Sequence, residues 1–242
     1  MPVKSSVIIA AAGSSRRMEG RDKLWMQLAG RIILARTIDV FEASPVIDNI
    51  VLVLNSERLD DINRLCRQEA WSKITSMVEG GIRRQDSVLS GLDSLAKLAP
   101  TTQWVMIHDG ARPLVTPDIL EAGLKTAQEC YAAIAAIPVK DTIKQVEQGW
   151  ISNTLDRSQL WAIQTPQIFS FPLIHHAYQT VQGEQEFTDD AALLEHLGKR
   201  VAIFKGSFPG SPRSGRTVLS QPKSIARKRS AHAKDRARDQ VR

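Results

Sequence analysis

The stretch AAAGSSRRMEGRDK, residues 10–23, sets Arg16, Arg17, Arg21 and Lys23 behind a turn with one central glycine, Gly13, directly after an apolar run. That concentration of cations suits an anion such as a phosphate. Where a strand gives way to a turn, the backbone N–H groups of Ala12 to Ser15 can face the anion while the side chains behind them neutralise it. The spacing is not GxxxxGK[ST], and with only Gly13 and Gly20 available it is not GxGxxG either. A solvated basic turn is the plainer alternative, since Arg and Lys are common on surfaces. Two further stretches offer complementary chemistry. In HDGARP, residues 108–113, Asp109 can hold a metal ion or a hydroxyl and Arg112 can fork onto a phosphate or carboxylate. An Asp-Gly turn with an internal ion pair is the alternative there. In EGGIRRQDSVLSGL, residues 79–92, Gly80 and Gly81 admit a planar ligand close to the backbone, and Ser87 can hydrogen-bond a base edge. The alternative is a glycine turn that starts a helix.

Each of these loops follows an apolar run, and the runs alternate with segments of helical period. Strands are predicted over 6–12, 49–55, 73–78, 103–108 and 132–139, with helices over 33–43, 56–68, 84–98 and 116–130. Strands without strict alternation, separated by amphipathic helices, imply an α/β protein with a mostly parallel sheet covered on both faces. Ligands of such sheets bind beyond the carboxyl ends of the strands, where the three loops fall. Residues 140–167 break the rhythm. Their β-branched content and the Gln148-Gly149 pair predict a hairpin that projects from the sheet. Helices follow over 171–181 and 188–198, the second with Thr188 as N-cap, and a last strand over 200–206.

The chain has 242 residues, enough for one large α/β domain or a domain with a small appendage. No apolar run approaches the roughly 18 residues of a membrane span, and the N-terminus lacks the long apolar core of a signal peptide, so a cytoplasmic protein is expected. Cys66 and Cys130 are far apart and suggest neither a disulfide framework nor a zinc site. The net charge of +6 invites a nucleic-acid reading until its location is considered. Residues 206–242 hold ten Lys or Arg and two Asp, leaving 22 basic and 24 acidic residues in the rest. The body is nearly neutral, and the Ser-, Pro- and Arg-rich tail is expected to be disordered.

Taken together, AAAGSSRRM…DK, EGGIRRQDSVLSGL, HDGARP, PVKDTIK, LDRSQLWAIQTPQ and TDDA occur in the order and spacing of the 2-C-methyl-D-erythritol 4-phosphate cytidylyltransferases, which the chain resembles from about Val7 to Gly206. Six motifs in register are far more specific than any one. The ribitol 5-phosphate cytidylyltransferases share much of the pattern and are the nearest alternative. A third reading is an impaired homologue whose basic tail binds nucleic acid weakly and without sequence preference.

The resemblance implies a Rossmann-like nucleotidyltransferase fold with a projecting β-arm. It implies a cytidylyltransferase domain over 1–206, with the arm at about 140–160, and a tail over 207–242. The implied reaction joins a polyol phosphate to CTP with Mg²⁺, giving a CDP-alcohol and pyrophosphate. By resemblance, Arg17 and Lys23 stabilise the transition state. The backbone of Ala11, Ala12 and Gly13, with Gly80, Gly81 and Ser87, recognises cytosine, and Asp109 lies near the ribose and the metal. The acceptor site would comprise Arg112, Thr142, Arg157, Thr165 and Thr188, with Arg157 positioning the attacking phosphate. The arm would join two subunits as a homodimer and complete the site across the interface. Two departures stand out. Asp22 replaces the family's usual proline before Lys23. The C-terminal segment whose lysine holds the acceptor phosphate is missing, with Arg213 or Arg216 as possible substitutes.

Overall fold

The structure, a computed structural model, describes residues 4–13, 22–181 and 185–207. Arg17, Arg213, Arg216 and the tail from residue 208 lie outside the described residues. The first strand explains why its sequence does not alternate. β1 (Ser5–Ala11) runs through the middle of a seven-stranded sheet. Val7, Ile9 and Ala11 belong to the core on one face, and Ile8 to the core on the other. Both sides of the pleat are dry, so both are apolar.

The predicted rhythm then follows. After a small hairpin of β2 (Gln27–Leu28) and β3 (Arg31–Ile32) come α1 (Ile33–Ala43), β4 (Asn49–Leu54), α2 (Leu59–Glu69), β5 (Ile74–Glu79) and α3 (Arg84–Leu98). Next are β6 (Trp104–Asp109), α4 (Pro117–Cys130) and β7 (Ala132–Pro138). The remaining elements are β8 (Lys144–Glu147), β9 (Trp150–Thr154), β10 (Trp161–Ser170), α5 (Phe171–Thr180), α6 (Asp190–His196) and β11 (Ala202–Lys205). The sheet order is β11-β7-β10-β6-β1-β4-β5. Apolar residues of α1, α2 and α4 pack on one face, and those of α3, α5 and α6 on the other. The chain winds outward from β1 through β4 to β5, then returns to pair β6 with the opposite side of β1. That reversal opens a crevice beyond the carboxyl ends of β1 and β6, the place where doubly wound sheets bind ligands.

One expectation is corrected. Residues 140–167 do not form a single projecting hairpin. β8 and β9 do pair as an arm, turning at Gln148 (φ 49°) and Gly149 (φ 86°), the positive values that a tight two-residue hairpin turn needs. The residues after them join the central sheet instead, as ten-residue β10, antiparallel to both β6 and β7. Pro166 and the polar Gln164, Thr165 and Gln167 hide this strand in the sequence. They are tolerated because pairing with β7 is interrupted between Ile163 and Gln167, and a proline can sit where the ladder is broken.

Helix α4 lies so close to the sheet edge that Gly123 has no room for a methyl group. A Cβ there would sit 2.5 Å from Phe204 Cζ and 2.6 Å from Ile168 Cδ1. Gly123→Ala is therefore expected to destabilise the fold by about 1–3 kcal/mol despite alanine's better helix propensity, read as a lower denaturation midpoint with an unchanged m-value.

Candidate active site

A cavity of about 650 Å³ opens at the carboxyl ends of the strands. Ala11 at the end of β1, Ala12 and Gly13 after it, Gly80 and Gly81 after β5, Ser87 in α3 and Asp109 at the end of β6 all line it, together with Lys23. Parallel strands deliver these residues, remote in sequence, to one edge. Lys23 reaches the cavity on a 3-10 turn, Lys23–Trp25, whose Leu24 is buried.

The glycines have a packing role that the sequence did not suggest. The Gly80 amide donates to the Leu54 carbonyl at 2.9 Å. A Cβ on Gly80 would collide with the Ala12 methyl and stand 2.7 Å from Ser87 Oγ. One on Gly81 would strike Asp86. The loops after β1 and β5 can meet only because residue 80 carries no side chain. Helix α3 then starts at the cavity. Asp86 binds its N-terminus twice: the carboxylate accepts from the Arg83 N–H at 3.1 Å and from the Arg83 guanidinium at 2.7 Å. The hydrogen bond from the Arg83 side chain keeps Asp86 below its ordinary pKa. The first turn thus directs a positive helix end, with Arg84, toward the cavity. Ser87 donates to the Arg83 carbonyl at 3.2 Å, which leaves its lone pairs to accept.

A smaller cavity of about 210 Å³ lies alongside, lined by Arg112 and Thr165, and Ala111 lines both. Asp109 ties the two together. Its Oδ2 accepts from Arg112 Nε at 2.9 Å, and its amide donates to Thr165 Oγ1 at 3.2 Å. The other acceptor-site candidates are not gathered here. Thr142 and Arg157 are exposed on the arm, where Arg157 donates to the Lys140 carbonyl at 2.9 Å. Thr188 is exposed just before α6 and does not cap it. Asp189 does so instead, accepting the Ala192 N–H at 2.8 Å, because the helix starts one residue later than predicted.

Sequence reasoning missed the network beneath the site. Arg84 forks onto Asp190 at 3.0 and 2.8 Å, and its Nε is 3.6 Å from Asp109. Asp190 is fully buried and also accepts from the Tyr178 hydroxyl at 2.6 Å. Gln167 accepts the amides of Asp190 and Ala191 and donates to Asp189 at 3.0 Å. Burial opposes the charge on Arg84, yet Asp190 and then Asp109 outweigh it and raise the guanidinium pKa above its ordinary value. Burial, followed by the Asp190 charge, pushes the Tyr178 hydroxyl well up. The one sequence signal was the doubling of Arg83-Arg84 and of Asp189-Asp190, where one partner caps and the other pairs.

His108, the first residue of HDGARP, is buried and donates from Nε2 to the Arg112 carbonyl at 3.1 Å, while Nδ1 has no partner among the described residues. Burial lowers its pKa to about 4. It is a neutral core imidazole that shapes the loop. Among the described residues no group of three or more His, Cys, Asp or Glu is assembled around a metal position. The Asp109 carboxylate, which lines the larger cavity, is a hard oxygen donor of the kind divalent cations take.

The chain is similar to known proteins along most of its length. The profile of the family 2-C-methyl-D-erythritol 4-phosphate cytidylyltransferase matches residues 5–209. Proteins of that name from Dehalococcoides mccartyi and Halalkalibacterium halodurans are 45% and 43% identical, each alignment covering 84% of this chain and 88% of the relative. Among solved structures, a 4-diphosphocytidyl-2C-methyl-D-erythritol synthase from Anaerococcus prevotii superposes with a TM-score of 0.76 at 28% identity, over 91% of this chain and 92% of that one. The 2-C-methyl-D-erythritol 4-phosphate cytidylyltransferase of Thermus thermophilus gives 0.66 at 27%, over 85% and 90%.

Two outcomes follow from the buried titratable groups. Arg84→Met strands the Asp190 carboxylate in the core and is expected to cost about 3–5 kcal/mol, a loss that Arg84→Met/Asp190→Leu partly recovers, both read from denaturant unfolding. His108 binds its proton more weakly folded than unfolded. Stability is therefore complete above about pH 6.5 and falls as the pH drops toward 4, by about 3 kcal/mol from this residue. His108→Gln should flatten the stability profile across that window.

Proposed function

Because the chain belongs to the 2-C-methyl-D-erythritol 4-phosphate cytidylyltransferase family, we propose that it transfers CMP from CTP to 2-C-methyl-D-erythritol 4-phosphate, releasing pyrophosphate and forming 4-diphosphocytidyl-2-C-methyl-D-erythritol. The observation that carries the reading is a pair of cavities joined at Ala111, one lined by Lys23 and the glycine loops, the other by Arg112 and Thr165. They suit a nucleoside triphosphate and a small phosphorylated alcohol side by side.

The acceptor phosphate needs no base. With a second pKa of about 6 it is largely dianionic at pH 7 and attacks the α-phosphorus of CTP in line. The protein must relieve repulsion between anions and stabilise charge on the leaving pyrophosphate, the role of Arg17 and Lys23 with the helix end at Arg84. The backbone of Ala11 to Gly13, with Gly80, Gly81 and the accepting lone pairs of Ser87, forms the cytosine site. Bound Mg²⁺ would neutralise triphosphate charge, with Asp109 as its protein ligand and neighbour of the ribose. Arg112, Thr165 and Thr188 serve the acceptor.

Thr142 and Arg157 serve it from a second subunit. A two-stranded hairpin is marginal on its own in water, and this one exposes Val146, Trp150 and Ile151. Such an arm favours a homodimer in which Arg157 of one subunit reaches the other's site. The catalytic domain is assigned to residues 1–206. The basic tail over 207–242 adds at most weak, salt-sensitive contact with nucleic acid. No helix among the described residues is long and apolar enough to cross a membrane, and the unbridged Cys66 and Cys130 accord with a reducing cytoplasm.

Pyrophosphate release from CTP and Mg²⁺ tests the assignment. Release is expected with methylerythritol phosphate and not with ribitol 5-phosphate, and Lys23→Ala should lower kcat about 10²–10³-fold. Equal release with ribitol 5-phosphate would overturn the acceptor, and an undiminished Lys23→Ala rate would overturn the role of the lysine.

A further inference from the structure

Lys23 stands on one turn of 3-10 helix, too short to hold its own orientation. Restraints reach it from three directions. Asp22, at φ −75° and ψ 107°, caps the turn: its carboxylate accepts the Leu24 N–H at 3.1 Å, and its carbonyl accepts the Trp25 N–H at 3.1 Å. Leu24 is buried against Gly110, where a Cβ would come within 3.2 Å of Leu24 Cδ2. The third restraint comes from a different part of the chain. Arg58, just ahead of α2, places its Nε 3.6 Å from the Asp22 carboxylate and its guanidinium carbon 5.0 Å from the centre of the Trp25 ring. Arg58 is itself aimed by Asp61, which accepts from its Nη1 at 3.1 Å and binds Arg64 on the other side. Asn55, three residues earlier on the same loop, lines the larger cavity.

We propose that Arg58 is a positioning residue: it clamps Asp22 and Trp25, at the two ends of the turn, and thereby fixes where the Lys23 ammonium meets the triphosphate. This rests on the role given to Lys23 above. The Asp22–Arg58 pair is partly exposed, with side chains 27% and 39% accessible, so it adds little to global stability. Its effect is local, on a turn that a proline at position 22 would stiffen covalently and that Asp22 stiffens by capping and charge. Arginine suits the task because one planar group can meet a carboxylate at its edge and an aromatic ring at its face.

The test compares Arg58→Ala, Asp22→Ala, Asp22→Asn, Lys23→Ala and Arg58→Ala/Lys23→Ala in the full chain, by pyrophosphate release and by hydrogen exchange at the Leu24 and Trp25 amides. Arg58→Ala is expected to lower kcat about ten- to a hundredfold with KM for CTP within about twofold, since a small misplacement of a transition-state group acts on kcat. Asp22→Asn, which keeps the cap, should lose less than Asp22→Ala, and Arg58→Ala should add nothing in the Lys23→Ala background. A wild-type kcat in Arg58→Ala, or the same fold-loss with and without Lys23, overturns the proposal. If Lys23→Ala leaves kcat unchanged, it is the role of Lys23 that fails. Exchange then decides the clamp: acceleration of about tenfold or more at both amides in Arg58→Ala upholds it, and unchanged exchange overturns it.

Discussion

An ionised carboxylate with no access to water is tolerated only where its charge is matched and its lone pairs are occupied, and Asp190 meets both conditions at once. Arg84 supplies the charge through two parallel hydrogen bonds, and Tyr178 supplies a third. What makes the pair central is where its members come from. Arg84 opens the helix after the glycine loop, whereas Asp190 opens α6, which Gln167 fastens to the strand carrying Thr165. The ion pair thus fixes the distance between the loop after β5 and the strand that carries Thr165. On the proposed reaction, an in-line displacement depends on that distance, because the gain from orienting two reactants vanishes if their supports drift.

The same device recurs around the cavity at lower cost. Arg83 is held by Asp86, Arg112 by Asp109, and Arg58 by Asp22 and Asp61. Each pair is partly exposed and contributes little to folding. On the proposed function their common effect is preorganisation: fixed carboxylates hold Arg83 and Arg112 at the cavity walls, and Asp22 and Asp61 hold Arg58 behind the Lys23 turn. The HDGARP loop joins these pairs to the core. Its histidine is kept neutral by burial and its aspartate lines the cavity, so adjacent residues of one strand end face the core and the cavity separately.

Backbone economy completes the arrangement. Gly80 lets two loops touch, and Gly123 lets a helix sit on the sheet edge. Both are short-range steric demands, yet neither could be assigned from sequence, because the atoms that forbid a side chain arrive from distant segments. Gly80 lines the cavity, as its place at a strand's carboxyl end suggests, but its packing against Ala12 and Ser87 follows only from the fold.

The sequence by itself determined the order of the main strands and helices up to β7, though not the short β2–β3 hairpin, the mostly parallel character of the sheet, and several residues of the larger cavity, among them Gly13, Lys23, Gly80, Gly81, Ser87 and Asp109. Those features are local: apolar runs, helical period and loop position follow from burial and from the rule that ligands bind at carboxyl ends. Only the tertiary structure decided that Trp161–Ser170 is a central antiparallel strand, since Gln164, Thr165 and Pro166 fall where the ladder is broken and Gln167 to Phe169 pair on both edges. It also decided that Asp189, and not Thr188, caps α6, and that Arg58 reaches Asp22 across 36 positions. Such partners are chosen by three-dimensional proximity, and one-dimensional spacing carries no record of it.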